Sequence, residues 1–205
     1  MELGRWEELN VALGKHAKQQ SERDLLEDQA IFLRTVANIC KVTAEYNLQE
    51  TLKEEDREKI AEDVVSALQV LNALNQRSEK SSEVGLWIGR LKLLQGDVTG
   101  AINAFHDVLR KNQTSSVRKI GAAEIVGGLQ EIELLTQSKD GDQAVQAIGY
   151  LTSEVGSREG FDHELISFRD FSQRINQSLN QLRLVGKYQA AIDAARSLPP
   201  VFDRS

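Results

Sequence analysis

Proline is nearly missing from this 205-residue chain: Pro199 and Pro200 are the only two, side by side near its end. A proline inside a helix removes a hydrogen bond and clashes with the preceding turn. Nothing of that kind interrupts a helix before position 199. Cysteine is limited to Cys40 and methionine to Met1. A lone cysteine makes no internal disulfide, and Cys40, in the apolar-rich run Thr35–Val42, reads as a small buried hydrophobe. Aromatic residues are 5% of the chain, and β-branched and aromatic residues form no alternating runs, which excludes a β-rich fold. No apolar stretch approaches the ~20 residues that span a bilayer, so no membrane insertion is expected. Met1-Glu2-Leu3-Gly4-Arg5-Trp6 lacks the basic and apolar regions of a signal peptide. With Met1 the sole methionine, the chain is expected to be a fragment of a longer protein. A soluble, cytoplasmic setting is favoured.

Positive charge is also in deficit. Lys and Arg number 25 against 31 Asp and Glu, a net charge of −6, so no global field attracts nucleic acid. The basic pair Arg118-Lys119 is too small for such a footprint. His16, His106 and His163 are widely separated, and none has zinc-ligand spacing. Asp162-His163-Glu164 looks like a solvated helix start, because successive helical residues point in different directions. Gly127-Gly128 follows no strand and precedes no Gly-Lys-Ser/Thr, so helix packing explains it better than phosphate binding. Neither a Gly-x-Ser-x-Gly motif nor a kinase set is present. No catalytic, metal or cofactor-binding constellation emerges, and the expectation is a non-enzyme without a cofactor.

What the chain does have is helical spacing. Trp6, Leu9 and Leu13 open it. Ser21, with Asp24 three residues on, caps a helix that fades near Asn47. Glu54–Glu58 puts negative charge in a first turn, where the helix dipole favours it, and the apolar stripe Ile60, Val64, Leu68, Leu71, Leu74 follows. Further helices are expected over 83–95, 99–111, 117–137, 143–154, 165–185 and 188–198, about nine in all. Short loops make such neighbours pack antiparallel.

A repeat is also visible. Gly96, Gly141 and Gly186 are spaced by 45 residues, each placed after one helix and before a shorter one. Gly4 lies close to two further periods upstream, and a fifth turn is due near residue 50, where no glycine occurs. Glycine lets a chain leave a helix in the left-handed conformation. Ala101-Ile102 and Ala191-Ile192 each begin five residues past their glycine. After Gly141 the corresponding pair is displaced, to Ala147-Ile148 or Ala144-Val145.

Residues 85–112 carry Ile88-Gly89 in a first helix, Gly96 in the turn, and Ala101 and Phe105 in a second helix. This segment resembles a tetratricopeptide repeat. Residues 186–198, with Gly186, Tyr188, Ala191 and Ile192, and residues 4–13, with Gly4, Trp6, Leu9 and Leu13, resemble parts of further copies. The period near 45 exceeds the family's usual 34. Gln113 stands where the closing proline is common, and Lys92 where an aromatic is common. The resemblance implies an all-α chain, residues 1–205 forming one TPR-like domain of antiparallel helical hairpins stacked as a right-handed α-solenoid. It further implies a protein or peptide partner held in a concave groove lined by first helices. On that register the groove residues are Leu86, Arg90 and Leu94, then Glu131, Leu135 and Lys139, then Asn176, Asn180 and Leu184. The row mixes apolar, charged and amide groups, with Arg90 between two leucines as its expected centre. The alternative is homo-oligomerisation through solenoid ends that lack polar caps.

Overall fold

The computed structural model describes residues 24–48, 54–77, 82–110, 120–138, 140–156, 161, 163 and 166–198. Every regular element among them is an α-helix: α1 (Asp24–Leu48), α2 (Glu54–Arg77), α3 (Ser82–Leu94), α4 (Val98–Arg110), α5 (Ala122–Gln137), α6 (Gly141–Val155), α7 (Phe168–Leu184) and α8 (Tyr188–Ser197). The chain is therefore all-α over the described residues. The expected helix around Trp6, Leu9 and Leu13 lies outside them. Contacts gather into two compact units, Met1–Gly96 and Asp97–Ser205, where the sequence reads as one domain.

In the first unit α1 packs on α2, and α2 on α3. The stripe foreseen on α2 is the centre of this packing: Val64, Leu68, Leu71 and Leu74 are all buried, Leu71 completely. Ala37 and Ile39 meet it from α1, and Val84, Leu86, Ile88 and Leu91 from α3. Cys40 is only half-buried. Burial pushes its thiol up from the ordinary value, while the nearby Arg90 charge acts in the other direction.

In the second unit α5 is central. It packs on α4, α6 and α7, while α6 also packs on α8, and α7 on α8. Two hairpins, α5–α6 and α7–α8, thus lie with first helix against first helix and second against second. Ile125, Leu129, Ile132, Ile148, Leu151, Phe171, Ile175 and Leu182 fill the space between them. A bidentate ion pair ties α5 to α7: Arg174 Nε donates to Glu133 Oε1 at 2.7 Å and its NH2 to Oε2 at 2.8 Å. Gly128 explains the small-residue run on α5. A Cβ built there would stand 3.0 and 3.1 Å from the Leu109 methyls and 3.2 Å from a Leu151 methyl.

Three helix starts carry side-chain caps. Asp97 Oδ1 accepts from Gly100 N at 2.8 Å, and Asp140 Oδ1 from Gln143 N at 3.2 Å. Ser167 Oγ accepts from Asp170 N at 3.1 Å and donates to Asp170 Oδ2 at 2.6 Å. Such caps satisfy N–H groups that have no partner within the helix. Two expected starts are corrected, the second of them at such a cap. The helix expected from Val117 begins at Ala122, after an extended Gly121. The one expected from Leu165 begins at Phe168, after Ser167. His163 is not helical. It stacks edge-on against Phe161 at 4.8 Å, and Phe161 in turn meets Phe168 and Phe171 at 5.4 and 5.5 Å.

The glycine spacing needs a correction as well. Gly96 and Gly186 do leave their helices with φ of 78° and 81°. Gly186 closes a Schellman turn, its N–H donating to Arg183 O and the Lys187 N–H to Leu182 O. Gly141 does neither. It is the first residue of α6, buried, and a Cβ there would lie 3.1 Å from Ala190 Cβ on α8. The equivalent points are instead the residues whose carbonyl accepts the first helical bond: Asp97 from Ala101, Asp140 from Ala144, Lys187 from Ala191. Positions 97 and 140 are 43 residues apart, and 140 and 187 are 47 apart, so these points are not evenly spaced.

Candidate functional site

The expected groove residues fall in both units, and each unit is described by itself. In the first, Leu86 is buried with the α3 core, Arg90 is half-buried, and Leu94 is 56% exposed. They do not share one face. Each step of four residues advances 40° beyond a full turn, so two steps carry Leu94 well round from Leu86. The Arg90 guanidinium lies over the Trp87 ring, 4.9 Å from its centre, in the geometry of a cation–π contact. Leu94 borders a cleft of about 1240 Å³ between α1, α2 and the end of α3, with Ile60, Val64, Lys41, Lys59 and Asp63 along its walls.

In the second unit Glu131 and Leu135 are core residues, 2% and 3% exposed. The register placed them on a concave surface, but α5 is covered by three neighbouring helices and has little face left for solvent. Lys139 is outside the described residues. Asn176 and Asn180 are exposed on α7, opposite the buried Phe171, Ile175, Ser178 and Leu182. Leu184, at the end of that helix, is 76% exposed. The open polar side of α7 is therefore what remains of the expected row in this unit.

Comparison with the models of known protein families gives no match, and comparison with curated proteins gives no significant match.

Glu131 has chemistry that helical spacing did not reveal. Its Oε1 pairs with His106 Nδ1 on α4 at 2.8 Å. Arg110, one turn further along α4, has its NH1 3.9 Å from the same oxygen. The Arg110 guanidinium also touches the His106 ring and lies over the Tyr150 ring of α6, 5.4 Å from its centre. Glu131 Oε2 is buried and has no hydrogen-bond partner among the described residues. Burial pushes the Glu131 carboxyl up from its ordinary value. The hydrogen bond to His106 and the charges of His106 and Arg110 oppose that rise, and Asp107 adds to it. His106 and Glu131 are 25 residues apart, so no local motif could have paired them.

Among the described residues no three His, Cys, Asp or Glu side chains gather as a metal site. No described helix is long and apolar enough to cross a membrane.

Proposed function

We propose that the chain is a non-enzymatic interaction scaffold: a TPR-like, right-handed α-solenoid that holds a peptide or partner helix against its first helices. The observation that carries this is the like-on-like stacking of α5–α6 against α7–α8. Helix pairs stacked in this way share a core and present rows of first-helix side chains to one side. The exposed amide-bearing face of α7, with Asn176 and Asn180, is the part of that row free of core packing in the second unit. Amide side chains both donate and accept, which suits a polar or mixed partner surface. A photo-crosslinking residue at Asn180, compared with one at Ser153 on the exposed side of α6, tests the reading. A defined partner protein linked from 180 and not from 153 is expected. Equal products from both positions, or none, refute it.

A second reading, self-assembly, has its own support. Tyr188 and Ile192, one turn apart on α8, are 63% and 45% exposed. Such an apolar pair on an outer helix suits a contact with a further copy of the chain. Sedimentation should then show a dimer that Tyr188→Ser with Ile192→Ser converts to monomer. A monomer at all concentrations excludes this reading.

A further inference from the structure

We propose that Glu131 and His106 form a proton-operated latch on the seam between α4 and α5, which tightens as the pH falls. Three features of the geometry support it. Glu131 is almost completely enclosed, yet its one direct hydrogen-bond partner among the described residues is a titratable ring whose side chain is 45% exposed. A proton can therefore reach the buried carboxylate through a group that touches solvent. The second carboxylate oxygen is buried without a partner among the described residues, so the anion is incompletely compensated. Among the described residues the fixed cation beside it is Arg110, whose NH1 stands 3.9 Å away and whose guanidinium is shared with the Tyr150 face.

The groups around the pair give the direction. From α4 come His106, Arg110 and the acidic Asp107. From α6 comes Tyr150, which holds Arg110. From α7 comes Arg174, whose guanidinium is engaged by Glu133. On α5 itself Glu124 lies two turns before Glu131 and is also buried. The charges of His106 and Arg110 favour the Glu131 anion, but burial outweighs them and Asp107 acts with burial, so one added proton relieves the site. When the Glu131 carboxyl takes up a proton, its O–H donates to the imidazole nitrogen, so the buried charge is removed and the 2.8 Å contact is kept.

Burial acts in the same sense, since it disfavours the charged carboxylate. The folded Glu131 carboxyl holds its proton more tightly than the unfolded one does. The extra stability is fully present below the carboxyl's unfolded titration and is lost as the pH rises through its folded titration, above the ordinary carboxylate range. A single proton contributes up to about a tenfold change in the local opening constant per pH unit.

The test is native-state amide exchange along α4 and α5 from about pH 5 to 8, corrected for intrinsic exchange, with wild type and Glu131→Gln. Wild-type protection should fall with rising pH by several-fold relative to the variant, whose profile should be flat. Parallel profiles overturn the proposal. If Glu131→Gln does not fold, Glu131→Met, which also removes the titrating carboxyl, replaces it with the same expectation. A ¹³C carboxyl titration of Glu131 in the wild-type protein gives a reading independent of any variant. A folded midpoint above that measured in urea supports the latch, and one at or below it overturns it.

Discussion

Two glycines in helix interiors allow packing to be separated from backbone preference. Gly128 lies within α5 and Gly149 within α6. Replacing either by alanine adds one methyl and removes the same conformational freedom from the unfolded chain, a gain of about 1 kcal/mol for a helix. The surroundings differ. A Cβ at 149 has Ser197 Oγ at 3.7 Å within its 4 Å surroundings, an ordinary contact, whereas one at 128 sits 3.0–3.2 Å from methyls of Leu109 and Leu151. Those leucines are 3% and 0% exposed, so they have little room to retreat. Overpacking of this kind costs roughly 1–3 kcal/mol. Gly149→Ala should therefore stabilise the α5–α6 hairpin by about 0.5–1 kcal/mol. Gly128→Ala should leave it unchanged or destabilise it by up to about 2 kcal/mol, the overpacking cost less the helix gain. Amide exchange within α5 and α6 as a function of urea measures both. If the two variants stabilise equally, α4 and α6 do not close on α5 at Gly128, and the central position of α5 is wrong.

Other substitutions probe separate joints. Phe105 and Ala101 are both fully buried on α4; Phe105→Ala should cost roughly 3–5 kcal/mol and Ala101→Leu about 1–3 kcal/mol, both read from urea unfolding. Gly186 has φ of 81° with open space around it, so Gly186→Ala should cost about 1–2 kcal/mol through backbone strain alone. A thermal melt with no decrease in the transition would contradict that. Arg174→Ala removes an ion pair whose side chains are 28% and 36% exposed; the loss should stay below about 1 kcal/mol and shrink in 1 M salt.

Much of the helix pattern could be read from the chain, because apolar stripes and turn residues are local signals. The α2 stripe and the glycines at 96 and 186 took the roles that their spacing implied. Two helix starts were misplaced although one carried its own mark: Ser167 with Asp170 three residues on is a capping pattern, hidden by an apolar stripe that continues upstream of it. The repeat register failed at Gly141 because glycine serves two purposes. At 96 and 186 it supplies a left-handed backbone, and at 141 it lets α8 approach. A spacing rule cannot tell those apart, whereas the cap residues can. The candidate site was the least legible part. Exposure along the expected row depends on how many helices cover α5, and the Glu131–His106 contact depends on how α4 lies across it. Both are properties of tertiary packing, absent from any window of sequence.

The contact between Gly141 and Ala190 has a mechanical meaning. On one side of the two hairpins, α5 and α7 are tied by the Glu133–Arg174 fork. On the other, α6 begins at Gly141 so close to α8 that a Cβ there would lie 3.1 Å from Ala190 Cβ and 3.4 Å from Lys187 Cδ. A bulkier side chain at 141 has to push α8 away at this end of the seam. Closeness at residue 141 thus depends on having no side chain there, which makes it a place where one added methyl changes how α8 lies on α6.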